Sequence, residues 1–457
     1  MNARSPSPSP DSPPAPPETL LIIGAGPKAL AVAAKAKVMR DLDLPAPDVR
    51  VVEAHAVGAN WQSIGGWTDG RHRLGTSPEK DIGFPYRSAV AARGAGALNA
   101  EISRRMLDYS WMSFLVEHQT YAEWVDRGRP NPHHHVWARY LQWVATRIEL
   151  DVTIGTVRAI SADEERWALD VVDADGRSAE VVGDALMITG PGSSDSAMLD
   201  DERVLSVSAF WDLVGRRGLP VASRAAVIGG GETAGSALDE LVRHEVMTVS
   251  VISPGATIYT RGESYFENAM FSDPTSWPNL SVEERRDVIR RTDRGVFSVS
   301  VQENLLGDNR IHHLQGRVVT ARRSDDLIAL TLHNPGRPAQ THSFDLVVDA
   351  TGGQPLWFLD LFTDDAADLL ELTLGRTPTL ERIESAVGHD LAIAGLSPKL
   401  FLPNLAGFAQ GPGFPNLSCL GELSNRILRV ATRPGRGARA ARTGASEATG
   451  KMTDEVR

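Results

Sequence analysis

Short, continuous apolar runs, each leading into a glycine-rich turn and then a helical spacing of small and apolar residues, occur twice in this chain. Leu20-Leu21-Ile22-Ile23 enters Gly24-Ala25-Gly26-Pro27-Lys28-Ala29, and Ala225-Ala226-Val227-Ile228 enters Gly229-Gly230-Gly231-Glu232-Thr233-Ala234. Runs this short, bounded by glycine and not alternating with polar residues, predict strands buried on both faces of a parallel sheet. The alanine-rich stretch from 27 to about 42 predicts a helix packed closely on that sheet, and 232 to 244 predicts its counterpart. Second strands are expected at 49–52, ending at Glu53, and at 248–252, ending at Ser253-Pro254. Further buried strands at 185–188 and 346–349 end in small, turn-prone residues. Beyond the two glycine fingerprints no internal repeat is visible.

The fingerprints carry a chemistry. Two glycines let the backbone turn sharply and approach a pyrophosphate, and the following helix offers unpaired N–H groups and the positive end of its dipole. Alanine stands for the third glycine in both, a variant that close helix–strand packing permits. One such turn is weak evidence, but two in proper context argue for two bound dinucleotides. Glu53 ends the first unit's second strand, where a carboxylate accepts hydrogen bonds from an adenosine ribose; the plain alternative is a solvated strand-end acid. At the equivalent point of the second unit no carboxylate stands, and an acid there would repel a 2′-phosphate, so the pattern leans toward NADPH over NADH. Arg261 is the nearest residue to hold that phosphate, with an ordinary surface arginine as the alternative.

The predicted architecture is α/β, with two Rossmann-like dinucleotide-binding domains. Residues 18–195 begin a flavin domain, 196–354 form an inserted nicotinamide domain with a charged helical insertion at about 276–306, and 355–430 return to the first domain. Residues 1–17, mostly proline and serine, and 431–457, rich in arginine, glycine, alanine and threonine, read as disordered tails. At 457 residues the chain has room for two or three cores. No stretch approaches a membrane span, and a net charge of −11 argues against a nucleic-acid or anionic-membrane partner. Cys419, the only cysteine, suits a reducing cytoplasm and excludes the redox pair of the disulfide-class flavin reductases. One tightly held FAD and one exchanging nicotinamide therefore make the most economical pair, with oxygen as the obvious acceptor. The tract His133-His134-His135 sits at a predicted helix start without partners at ligand spacing, so no metal site is assigned.

Several further segments resemble a known family. They are Asn60-Trp61-Gln62-Ser63, Leu74-Gly75-Thr76-Ser77-Pro78-Glu79-Lys80-Asp81, Phe266-Glu267-Asn268-Ala269-Met270-Phe271, the turn Asp349-Ala350-Thr351-Gly352, and Gly413-Phe414-Pro415-Asn416-Leu417-Ser418. With the fingerprints, they resemble the lysine/ornithine N-hydroxylating flavin monooxygenases of hydroxamate siderophore synthesis, and most of all the actinobacterial lysine N6-monooxygenases of mycobactin- or nocobactin-type pathways. The resemblance runs from about 20 to 428. It implies FAD at the first turn, held by Gly24, Gly26, Pro27, Lys28 and Glu53, with Trp61 and Gln62 following the flavin strand and Asn416 and Ser418 close to the flavin. It implies NADPH at Gly229, Gly231, Glu232 and Thr233, with Arg261 as the phosphate candidate. It also implies a substrate site in a small helical insertion, with Lys80 pairing the substrate α-carboxylate, Asn268 bonding its backbone, and Asp293 contacting substrate or nicotinamide ribose. Relatives tend to show asparagine where this chain has Asp293, and a basic residue where it has Ser253-Pro254.

The implied reaction takes L-lysine, NADPH and O₂ to N6-hydroxy-L-lysine through a C4a-hydroperoxyflavin. No acid or base residue is assigned. An ornithine N5-monooxygenase or another flavin monooxygenase of the same class is the runner-up, and a non-catalytic redox sensor the alternative of a different kind. Relatives are often oligomeric, which leaves a homo-oligomer open.

Overall fold

The computed structural model describes residues 18–90, 95–216, 218–293, 295–351 and 353–429. The two expected tails lie outside the described residues, as do Gly352 and Arg294. The first unit contains strands β1 (Thr19–Ile23), β2 (Asp48–Glu53), β3 (Asp151–Ile154), β4 (Thr156–Ala162), β5 (Trp167–Val172), β6 (Ser178–Gly183) and β7 (Ala185–Ile188). The second begins with β8 (Val204–Ser206), β9 (Ala222–Ile228) and β10 (Val246–Ser253), followed by a short pair, β11 (Tyr259–Thr260) and β12 (Val296–Phe297). It ends with β13 (Ile311–Gln315), β14 (Arg317–Ser324), β15 (Leu327–His333), β16 (Gln340–Phe344) and β17 (Leu346–Asp349), and β18 (Lys399–Phe401) follows.

Two five-stranded parallel sheets result, ordered β18-β7-β1-β2-β3 and β8-β17-β9-β10-β13. The orders match strand for strand. Each unit also carries an antiparallel three-stranded meander between its third and fourth strands, β4-β5-β6 in one and β14-β15-β16 in the other. Even the irregularities coincide: the register shifts between Val157 and Ala159 in one meander and between Val318 and Thr320 in the other. The expectation of no repeat beyond the fingerprints is therefore corrected. The whole unit is repeated, but meander strands need only alternate polar and apolar residues, so they keep no shared motif.

The fifth strand arrives from opposite directions. β8 precedes the glycine turn of its unit, whereas β18 is added to the first sheet after the second unit is complete. The outgoing and returning segments touch, since a Cβ on Gly353 would lie 2.2 Å from the Pro191 carbonyl oxygen. In the second sheet successive residues serve opposite faces. Val227, Val249, Val251 and Val348 pack under the helices, while Ala226, Ile228, Ile252 and Val347 pack against the meander. That two-sided burial is why the strands read as unbroken apolar runs.

Both glycine-turn helices stop earlier than expected. The first, Pro27–Arg40, closes as Asp41 donates its N–H back to Lys37, and Asp43 takes a positive φ of 57°. The second, Glu232–Leu241, ends where the Arg310 guanidinium donates to the carbonyls of Val242, His244 and Val246. The helical insertion starts before the expected 276. Ser264 and Glu267 form a capping box that opens helix Tyr265–Ser272, and Ser281 and Glu284 form another that opens Val282–Thr292. Among the described residues no helix is long and apolar enough to cross a membrane.

Candidate active site at the junction of the two units

At the first turn Gly24 donates its N–H to Val52 at 2.8 Å and adopts φ 95°, and a Cβ there would sit 2.6 Å from Thr189 Oγ1. Only glycine fits that position. Glu53 closes the turn, its Oε2 accepting the Ala25 N–H at 2.8 Å and its Oε1 that of His55 at 3.0 Å. The helix that follows has no side-chain cap at Gly26, and Pro27 occupies its first turn, so its N-terminal N–H groups face an adjoining cavity of about 210 Å³. Gly24, Gly26, Pro27, Lys28, Glu53 and Trp61 all line it. Lys28 Nζ donates to the Pro415 carbonyl at 2.7 Å, and burial lowers its pKa to about 8 against the opposing fields of Cys419 and Asp293. Gln62 is absent from the lining; its side-chain amide donates to the Val57 carbonyl at 3.2 Å.

The second turn is built alike. Gly229 donates to the Ile252 carbonyl at 2.9 Å with φ 141°, and a Cβ would stand 2.4 Å from the Ala350 carbonyl oxygen. Gly231 caps the helix and Thr233 lies half-buried in its first turn. Glu232 points to the junction, where its Oε2 accepts the Ser298 N–H at 2.7 Å beside Gly75 of the first unit.

Between the units lies a cavity of about 590 Å³. Lys80, Arg261, Asn268, Asn416 and Ser418 line it with Glu263 and Glu303. Lys80 Nζ donates to Asn268 Oδ1 at 2.8 Å, and Asn268 Nδ2 donates to the Glu263 carbonyl at 2.9 Å. Burial lowers the Lys80 pKa; Glu263 opposes the shift and Arg261 adds to it. Lys80 is held in place by the buried Asp81, whose carboxylate accepts from Trp111 N at 2.8 Å and from the Tyr86 hydroxyl at 2.7 Å. Desolvation pushes that carboxyl up to about 6. Arg261 Nη1 reaches the Gly75 carbonyl at 3.4 Å, and its Nε is buried with no partner.

The structure thus gathers Lys80 and Asn268 into one hydrogen-bonded pair, and places Asn416 and Ser418 beside them rather than in the flavin-turn cavity. Asn416 Oδ1 accepts the Ser418 N–H at 2.8 Å, fixing that loop. Asp293 caps the end of helix Val282–Thr292 and does not line this cavity. The histidine tract shapes the neighbouring loop, with His133, His134 and His135 bonded to Arg71, Thr68 and Gly70. Sequence reading missed Thr189, which bonds the carbonyls of Ile23 and Gly24, and Asn404, whose Nδ2 donates to Gly190 at 2.8 Å. Asn404 carries no motif signal, while Thr189 stands where a strand ends in small residues.

Two matched sheets, two glycine turns and a polar cavity between them define a two-dinucleotide oxidoreductase. Residues 106–354 match the family model of L-lysine 6-monooxygenase/L-ornithine 5-monooxygenase. The chain belongs to this family. It is 55% identical over 414 residues to the L-lysine N6-monooxygenase MbtG of Mycolicibacterium paratuberculosis, covering 90% of this chain and 95% of that protein. The MbtG of Mycobacterium tuberculosis matches at the same identity, over 90% of this chain and 94% of its own. Among solved structures, the lysine monooxygenase NbtG of Nocardia farcinica is 63% identical with a TM-score of 0.81, covering 92% of this chain and all (100%) of that one. The Kutzneria ornithine N-hydroxylase KtzI shares the fold at 19% identity, with a TM-score of 0.68 over 93% of this chain and 99% of its own.

Proposed function

We propose that this chain is an FAD- and NADPH-dependent L-lysine N6-monooxygenase acting in hydroxamate siderophore synthesis of the mycobactin/nocobactin type. The observation that carries the reading is the Lys80–Asn268 pair, 2.8 Å apart, in a cavity between the two units that Ser298, the partner of Glu232, also lines. The residues present fit a flavin at the first turn. The turn has a glycine where any Cβ would strike Thr189, a helix N-terminus without a cap, and Asn404 Oδ1 buried at the cavity wall without a partner. When bound there, FAD supplies hydride acceptance and oxygen activation; the protein positions the reactants and excludes water.

Each residue then has a task. Gly24, Gly26, Pro27, Lys28 and Glu53 would hold the flavin nucleotide, with Trp61 and Asn404 against it. Gly229, Gly231, Glu232 and Thr233 would hold the nicotinamide nucleotide. Lys80 offers a fixed cation to the substrate carboxylate, and Asn268 both accepts and donates beside it. The amine that is hydroxylated must carry a free lone pair, yet a lysine amine with pKa ~10.4 needs about 4–5 kcal/mol to be neutral at pH 7. Enclosure in the junction cavity disfavours the ammonium and lowers that cost. The chain's single cysteine, buried Cys419, accords with a cytoplasmic setting.

Purified protein reconstituted with FAD, supplied with NADPH and oxygen, is expected to form hydroxylamine on L-lysine and little on L-ornithine. Product on ornithine alone would move the assignment to the N5 enzyme, and a colourless protein that cannot take up FAD would leave a sensor.

A further inference from the structure

Ser253 occupies in the second unit the place that Glu53 occupies in the first. Each follows the residue whose carbonyl receives the first turn glycine, Val52 from Gly24 at 2.8 Å and Ile252 from Gly229 at 2.9 Å. Each in turn receives the N–H that follows the third strand, Glu53 from Gly155 at 2.9 Å and Ser253 from Gly316 at 2.8 Å. The side chain of Ser253 is buried and faces its own turn, since a Cβ on Gly230 would lie 3.3 Å from Ser253 Cβ. A carboxylate has thus been exchanged for a neutral hydroxyl. The neighbouring strand carries a second exchange. Val51 pairs with Val152 in the first unit, and Val251 pairs with His313 in the second. His313 Nε2 lies 3.0 Å from Ser253 Oγ. Burial lowers the His313 pKa and so favours the neutral imidazole, which donates to Ser253 in the tautomer that carries its hydrogen on Nε2. With Nε2–H given to the hydroxyl oxygen, the hydroxyl hydrogen is left to donate elsewhere.

Resting on the reading of the second turn as the nicotinamide site, we infer that Ser253, oriented by His313, receives the adenosine 2′-phosphate and sets the preference for NADPH over NADH. In this fold the residue at the end of the second strand meets the ribose 2′ position. A carboxylate there excludes a phosphate dianion by repulsion, whereas a donor hydroxyl gains a charge-assisted hydrogen bond. Arg261 is not needed for this, because its guanidinium is turned into the junction cavity toward Gly75. His313 acts through Ser253 and is a positioning residue.

The test is isothermal titration calorimetry of the flavin-loaded full chain with NADP⁺ against NAD⁺, and with 2′,5′-ADP against 5′-AMP. The unchanged chain is expected to bind the 2′-phosphorylated member of each pair about tenfold more tightly. Ser253→Ala should bring the ratio near one by weakening NADP⁺ alone, and Ser253→Asp should invert it. His313→Val, which installs the first unit's residue, should lower the ratio while NAD⁺ binding holds, and His313→Gln, which keeps a donor, should restore it. Flavin absorbance reports that each variant has folded. An even ratio in the unchanged chain, or a ratio that Ser253→Asp leaves alone, overturns the inference. Failure of both nucleotides to saturate the protein would instead overturn the nicotinamide reading, and this inference with it.

Discussion

The two glycine turns share a backbone and differ in what closes over them. Around the first, the returning segment after β18 supplies the cover. Lys28 reaches Pro415, and Lys35, in the same helix, donates to Gly421 at 2.6 Å and to Asn425 Oδ1 at 2.7 Å. Asn404 reaches Gly190 from that segment too. Helix Glu232–Leu241 of the second unit carries no lysine, and among the described residues its turn lies against Ala350, Ser253, Gly295 and Ser298 of its own unit and Gly75 of the first. Turn geometry confers affinity for a dinucleotide, whereas the cover decides residence. A nucleotide roofed by a separate stretch of chain leaves only when that stretch moves, so the first site suits a resident flavin and the second an exchanging reductant.

The sharpest way to break this division is to spoil each turn in turn. Gly24→Val should yield protein without flavin. Gly229→Val should yield yellow protein whose bleaching by NADPH is slowed roughly a hundredfold or more, because a strained positive φ and a backbone clash fall on one residue. Loss of flavin from both variants would refute separate roles. Absorbance spectra and anaerobic stopped-flow traces decide it.

Next in size is a pH effect confined to the first unit. Burial lowers Lys35 to about 7, against 10.5 for an ordinary lysine. The unfolded chain therefore binds the extra proton between those values, so the cost of burying the ammonium is fully present below pH 7 and is relieved as pH rises toward 10.5. Stability of the first unit should rise by roughly 3 kcal/mol between about pH 6.5 and 9.5. Lys35→Met should flatten that rise, as read from denaturant midpoints followed by flavin release. An equally steep rise in the variant would place the titration elsewhere.

Lys80→Ala should raise KM for lysine by roughly ten- to a hundredfold, since it removes a charge-assisted contact. Asn268→Ala should follow in the same direction but less. Neither change should shift the NADP⁺ affinity measured by calorimetry, and a parallel shift would mean the junction cavity holds the nucleotide instead. Smallest is Glu53→Ala, which removes the acceptor for Ala25 and should weaken FAD binding about tenfold. Unchanged affinity would return Glu53 to the role of a bystander carboxylate.

The glycine turns, their strands and Glu53 were legible because local geometry forces those residue types into consecutive positions. Lys80 and Asn268 were legible only through family resemblance, since 188 positions separate them and a lysine between two acids has no local signature. Thr189 and Asn404 were not legible as site residues. Thr189 bonds the turn from 165 positions away and Asn404 bonds Gly190 from 214, and long-range pairing leaves no pattern in one sequence. Gln62 and Asp293, named from the same resemblance, line neither cavity: Gln62 donates to the Val57 carbonyl and Asp293 caps a helix end. Helix Tyr265–Ser272 announced itself by Ser264 and Glu267, a spacing that was there to be read.

The meeting of Pro191 with Gly353 has a consequence for how such a molecule is assembled and taken apart. Where the exit and re-entry points coincide, the second fold leaves and rejoins the first at one doorway, and the host sheet is expected to keep its strand order when the guest is removed. Excising the guest and joining the doorway with a few residues should leave a self-sufficient host. Duplication of a gene segment, followed by splicing one copy into a surface loop of the other, would yield this arrangement without any intermediate having to break a sheet.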